Sequence, residues 1–149
     1  MDLRHDMLTH GVYIVCAQHG ERRAGLAVAW ATQLATDRLA ICVGSQSATR
    51  ALILDAQAFG FSALGADQVD IARRFGRQSS RTVDKLAGLG WHTAVTGSPL
   101  LDDCLLALDC RVEAVHDVGA SKLIVGRIVA AERRREQGAP LIYREEDYA

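Results

Sequence analysis

The sequence predicts a mainly β fold, a barrel-like or sandwich domain decorated by short inserted helices. Three observations predict it. Short stretches with strand character, GVYIVCAQHGERRAGLAVAWATQ, RLAICVG and AFGFSAL, recur between turn-forming residues. Two long strand-like runs, CLLALDCRVEAVHD and KLIVGRIVAAERR, are separated only by VGAS and read as an antiparallel hairpin. Regular β-α-β alternation is absent, which argues against a doubly wound sheet.

The elements follow in chain order. GVYIVCAQHGERRAGLAVAWATQ reads as two strands joined by a turn at His19-Gly20-Glu21. RLAICVG is a short buried strand. SQSATRALILDAQ changes period: Ala51, Leu52, Ile53 and Leu54 suit a short helix, with Ser47 or Thr49 as candidate cap. AFGFSAL alternates again and reads as a strand. GADQVDIARRFG reads as a helix with Asp67 at its cap and Gly76 at its stop. SSRTVDKLAGLG reads as another short helical piece, TGSPLL as a turn, and APLIYR as a last short strand after the hairpin. With two prolines and no linker, repeat or low-complexity tract, the 149 residues read as one domain, 1–149.

Composition narrows the function classes. A formal net charge of −1 offers no footprint for nucleic acid or an anionic membrane. No apolar run reaches the roughly 20 residues of a membrane helix, and MDLRHDMLTHG lacks the apolar core of a signal peptide. Cys16, Cys42, Cys104 and Cys110 lie among apolar neighbours without C-x-x-C spacing, so they read as free thiols in a reducing compartment, the cytoplasm.

Most chemical constellations are missing. Asp102-Asp103 and Glu145-Glu146-Asp147 read as solvated acids, and Arg133-Arg134-Arg135 as a solvated turn. The five histidines show no zinc-ligand spacing. Neither a nucleophile elbow nor a P-loop occurs, and GLGWHT lacks the third glycine and preceding strand of a dinucleotide fingerprint.

Two neighbouring stretches remain. GLAVAWATQLAT has no charge and mostly small side chains around Trp30. Such a strand lets a flat ligand approach the backbone, and Thr32 and Gln33 add polar groups. GSQSATR then opens a helix with Ser45, Ser47 and Thr49 hydroxyls, Arg50 and unpaired helix N–H groups, a setting for phosphate. The order is a ring site followed by a phosphate site.

In these residues the chain resembles the flavin reductase-like proteins of the FMN-binding split-barrel fold, in the branch of flavoredoxin and the reductase domains of diflavin flavoproteins. The matching stretches are GVYIVCAQHGERRAGLAVAWATQ with its Ala29-Trp30-Ala31-Thr32-Gln33 pattern, LAICVGSQSATRALI, DIARRFG, PLLDDCLLALDCRVEAV and PLIYREEDY. The resemblance implies a split β-barrel, a homodimer and one flavin per subunit: FMN, with FAD as the alternative. It implies that Trp30, Ala31, Thr32 and Gln33 line the isoalloxazine and ribityl chain. Ser45, Gln46, Ser47, Thr49 and Arg50 would face the phosphate, and Arg74 and Phe75 would complete the pocket. The implied activity is NAD(P)H:flavin reduction, with hydride passing from nicotinamide to flavin N5 and electrons onward to a redox partner protein or monooxygenase. No catalytic acid is identified. The chain departs from the family at three places. Arg38-Leu39 stands where the family usually has a proline pair. Ser45 and Ser47 stand where the family often has Lys and Arg, and Gly119-Ala120-Ser121 stands where many reductases have Gly-Asp-His. Two alternatives therefore stay open: an FMN-binding electron-transfer protein without its own NAD(P)H site, and a flavin-less structural or interaction split barrel.

Overall fold

The computed structural model describes residues 1, 3–45, 47–80 and 83–149. Its strands are β1 (Tyr13–His19), β2 (Arg22–Val28), β3 (Ala31–Ala35), β4 (Arg38–Val43), β5 (Ala58–Ala63), β6 (Trp91–His92), β7 (Leu100–Leu101), β8 (Leu106–Val118) and β9 (Ser121–Arg133). Helix α1 spans Ala48–Ala56, α2 spans Val69–Arg77, and a 3₁₀ turn covers Glu145–Tyr148. Seven strands form one antiparallel sheet in the order β2-β1-β5-β8-β9-β4-β3, and β6 pairs with β7 in a small ribbon. The fold is mainly β, as the sequence predicts, and is the split barrel that the resemblance implies.

Alternation along β1 explains how the sheet is covered on both faces. Val15 and Ala17 point to an inner core with Ile41, Phe59, Phe61, Ile124 and the α1 residues Leu52 and Ile53. Ile14 and Cys16 point the other way, to a second core with Phe75 of α2, Leu86, Leu100 and Cys104. A strand buried on both sides reads as a continuous apolar run, as β1 does. α1 therefore closes the inner core and α2 covers the outer one.

The hairpin β8–β9 and the capped helix α1 form as the sequence predicts, with Ser47 Oγ accepting from the Arg50 amide at 3.2 Å. Several expectations are corrected. The second strand of GVYIVCAQHGERRAGLAVAWATQ breaks at Ala29-Trp30, so it becomes β2 and the separate edge strand β3. Asp67 does not cap α2. Gln68 holds the N-cap with no capping bond from its side chain, which instead accepts from the Gly65 amide and donates to the Asp103 carbonyl, and Asp67 pairs with Arg135 at 2.7 Å. Gly76 lies inside α2 rather than ending it. A Cβ there would meet the Tyr148 ring at 2.9 Å, so close approach explains the residue. SSRTVDKLAGLG is no helix among its described residues. It makes tight turns, Ala87 N to Asp84 O at 3.2 Å and Leu89 N to Leu86 O at 3.0 Å, and Gly88 takes a positive φ of 80°. APLIYR forms only isolated bridges, Pro140 to Gly65 and Ile142 to Gly11, because Pro140 has no N–H to continue a ladder.

Nor are the basic and acidic runs simply solvated. Arg135 joins Asp67 to Asp103, and Arg134 donates to the Asp102 carbonyl at 2.9 Å. His92 lies 2.5 Å from Asp102 Oδ1 and 2.6 Å from Glu132 Oε1, acids far from it in sequence. These contacts pin the β6–β7 ribbon to the hairpin.

Candidate functional site

Two adjoining cavities open along β2. The first, about 270 Å³, is bounded by His5, Ala29, Trp30, Cys42, Ser121 and Tyr143 together with Leu26 and Ala27. The second, about 330 Å³, shares Leu26 and Ala27 and extends past Ser47, Thr49 and Phe75 to Ser80 and Lys85. The break after Val28 is what makes the first cavity. It leaves Trp30 off the ladder and 43% exposed, with its carbonyl accepting from the Cys42 amide at 2.9 Å. The Trp30 indole Nε1 donates to the His5 carbonyl at 3.2 Å, and the His5 ring meets it edge-on at 5.5 Å. His5 is held by Glu145 at 3.1 Å, and Asp6 accepts from the Glu145 amide. The Arg4 guanidinium beside Asp6 holds that carboxyl down at about 2.

The second cavity is shaped by the loop after α2. Gly25 lies against it: its amide donates to Ser80 Oγ at 3.1 Å, and its carbonyl accepts from Ser80 at 3.0 Å and from Lys85 Nζ at 2.8 Å. A Cβ at Gly25 would sit 2.8 Å from both Cys16 Sγ and Phe75 Cε2, so no larger residue fits without displacement. The N-terminal turn of α1 lines the opposite wall through Ser47, Ala48 and Thr49. Burial pushes the Cys16 thiol up to about 12, so it stays neutral at ordinary pH.

The structure brings Trp30, Ser47, Thr49 and Phe75 to these cavities. Ala31, Thr32 and Gln33 lie on β3, outside the lining. The Gln33 side chain donates to the Ala35 carbonyl, and Thr32 is exposed. Ser45 is exposed, Arg50 donates to the Ala120 carbonyl at 3.4 Å, and Arg74 donates to the Ala87 carbonyl. Gln46 lies outside the described residues. Sequence reasoning missed Lys85, Ser80 and Tyr143. Lys85 lay within a stretch read as helical, and its only signal was a lysine among apolar neighbours, VDKLAGL. Among the described residues no cluster of His, Cys, Asp and Glu is arranged to hold a metal ion, and no helix is long and apolar enough to cross a membrane.

Comparison with known proteins places this geometry. Residues 3–149 match the family described as "Flavin reductase like domain". An FMN reductase (NADH) RutF 2 of Rhizobium rhizogenes is 30% identical over 110 residues, 74% of this chain and 62% of its own length. The reductase subunit HsaB of a flavin-dependent monooxygenase from Rhodococcus jostii is 35% identical over 103 residues, 69% of this chain and 51% of its own length. The chain thus spans between half and two thirds of these curated relatives. The crystal structure of an FMN-binding protein from Thermus thermophilus superposes with a TM-score of 0.88 at 25% identity, covering 99% of this chain and 88% of that one.

Proposed function

The chain belongs to the flavin reductase like domain family, and from that premise we infer that it is a flavin-binding oxidoreductase of the NAD(P)H:flavin reductase type. The observation that carries this reading is the pair of cavities sharing Leu26 and Ala27, one beside an aromatic side chain and one beside a capped helix N-terminus. The residues fit a flavin in kind. The first cavity offers apolar and backbone walls and one indole for a planar ring system. The second offers hydroxyls and helix N–H groups for a phosphate. Ala31, Thr32, Gln33, Ser45, Arg50 and Arg74 belong to the surrounding shell in this reading.

When bound, the flavin supplies hydride acceptance at N5 and onward electron transfer. The chain's own residues position it. Trp30, its indole fixed by the His5 carbonyl, would flank the ring, and Ser47 and Thr49 would face the phosphate. FMN is the proposed flavin and FAD the alternative. The proposed electron donor is NAD(P)H, and the acceptor a partner such as a monooxygenase component, the role carried by the HsaB relative's name. We further propose one functional unit over 1–149, cytoplasmic residence in keeping with four free cysteines, and a homodimer. Exposed Leu34, Val115 and Val118 support the dimer, and sedimentation at micromolar concentration tests it.

The test is the visible spectrum of the protein after addition of excess FMN and desalting, followed by NAD(P)H oxidation with added flavin. Retained flavin bands and a rate above the enzyme-free blank support the reading. A colourless protein with no rate overturns it in favour of the flavin-less barrel. A second reading, a flavin-binding electron carrier without a nicotinamide site, is favoured by Ser121 at the ring cavity, where the hairpin turn contributes one hydroxyl and no titratable group. Rapid reduction of bound flavin by NADH alone excludes that reading.

A further inference from the structure

Both ends of the chain reach the first cavity, the one beside Trp30. β4 brings it Cys42 and the hairpin turn Ser121, while the N-terminal segment brings His5 and the C-terminal segment Tyr143. Burial raises the Tyr143 phenol, so it stays protonated at neutral pH. Lys85, a buried ammonium held 2.8 Å from the Gly25 and Phe75 carbonyls with no carboxylate partner among the described residues, belongs to the second cavity.

His5 is placed by three contacts of different kinds. Its carbonyl accepts from Trp30 Nε1 at 3.2 Å, its ring meets the indole edge-on with centroids 5.5 Å apart, and its Nδ1 lies 3.1 Å from Glu145 Oε1. Glu145 is held in turn. Its amide donates to Asp6 Oδ2 at 3.1 Å, and Arg4 lies 3.6 Å from its carboxylate and 3.0 Å from Asp6 Oδ1. An exposed ion pair holds little by itself, but here a backbone hydrogen bond and a ring contact fix the same residue. The N-terminal segment is therefore seated at the rim of the cavity.

A carboxylate on Nδ1 favours the tautomer with the proton there, and it supports the imidazolium when a second proton arrives. Nε2 has no partner among the described residues, so it is the nitrogen left to meet a ligand. Neutral, it accepts; protonated, it donates to whatever negative charge lies beside it. The charged groups of the surrounding cluster are Glu145, Glu146 and Asp6, with Arg4 among them, so acids outnumber the single guanidinium. Hydride transfer from a nicotinamide brings two electrons and one proton to a flavin ring and leaves one negative charge over.

We propose that His5, with Glu145 as its positioning residue, stabilises the reduced state of the bound flavin by taking up one solvent proton when the ring takes up a hydride. The proposal rests on the flavin-binding reading above and adds to it a preference for one redox state. The proton on Nε2 balances the charge left on the ring, and the Glu145 carboxylate keeps it there.

The experiment measures, by anaerobic equilibrium dialysis, the affinity of oxidised FMN and of dithionite-reduced FMN for wild type, His5→Gln and Glu145→Gln. Neither substitution removes the His5 carbonyl that fixes the Trp30 indole. At pH 7 wild type binds reduced FMN more tightly than oxidised FMN. His5→Gln loses about fivefold of that preference, the worth of a charge-assisted contact at a partly exposed rim, while its affinity for oxidised FMN holds. Glu145→Gln shifts the preference the same way and less far. Between pH 7 and pH 9 wild type gives up the preference as the imidazole loses its second proton, and His5→Gln does not. Lys85 and the ligand phosphate titrate alike with both forms of FMN and cancel in the ratio. A preference equal in wild type and His5→Gln overturns the proposal. An equal loss of both ligands also overturns it and leaves His5 a prop for Trp30. If wild type binds neither form, the flavin reading itself fails and the proposal with it.

Discussion

Replacing Lys85 by Met changes how stability depends on pH, and the size of the change follows from the structure. Lys85 is 5% exposed, and burial lowers its ammonium from 10.5 to about 8. The unfolded chain holds the proton up to about 10.5, whereas the folded chain releases it near 8. Between those values the unfolded state binds more protons, so the Lys85 contribution to stability rises with pH. At ~1.4 kcal/mol per pH unit, the full gap is worth about 3 kcal/mol. Met has nearly the same length and no charge, so the variant lacks this rise. Tyr13 and Tyr148, both raised by burial, also affect alkaline stability. They are common to both proteins and cancel in the difference. The assay is urea unfolding of ligand-free wild type and Lys85→Met at intervals from pH 7 to pH 10. Wild type gains on the variant by about 2–3 kcal/mol over that range. A difference that is flat with pH refutes the uncompensated charge, whatever the absolute cost of losing the Gly25 and Phe75 hydrogen bonds.

Other outcomes are equally specific. Trp30→Ala weakens flavin binding by roughly threefold to tenfold, the worth of one aromatic contact, measured by fluorescence titration; unchanged affinity removes Trp30 from the ring wall. His92 has its pKa raised, chiefly by the Glu132 hydrogen bond and then by Asp102. Its contribution to stability is therefore fully present below about 6.5 and is lost as pH rises through the raised value, so between pH 5 and 9 the melting temperature of wild type falls relative to that of His92→Gln; a constant difference refutes it. Gly60→Ala drives a Cβ into the Pro99 carbonyl oxygen, and unfolding should show a loss of about 1–3 kcal/mol; wild-type stability would mean that the chain crossing β5 is free to move.

Fold and site differed in how much of each was readable in advance. Strands announced themselves by short apolar or alternating runs between turn residues, and the β8–β9 hairpin by two long runs around Gly119. The Ser47 cap was visible because its hydroxyl acts within three residues. Asp67 looked equally suited to capping, but its partner Arg135 is 68 residues away and won the carboxylate. His92 looked isolated for the same reason, since Asp102 and Glu132 reach it only through the fold. In the site, local signals marked Trp30, Ser47 and Thr49. Thr32 and Gln33 seemed to share the Trp30 surface, but the strand break at Ala29-Trp30 put them on another element. Lys85 was hidden because its meaning depends on burial, and burial of a lone lysine follows from tertiary packing alone.

β2 is an outer strand of the sheet, and the Gly25 amide and carbonyl are answered by Ser80 and Lys85 rather than by another strand. The loop that walls the second cavity is therefore also the guard on an open sheet edge. Any movement that widens the cavity to admit a ligand uncovers strand-pairing groups at the same moment. A ligand that held this loop down would thereby also keep neighbouring copies from zipping onto β2, so the proposed cofactor site and the protection of the sheet edge share one loop.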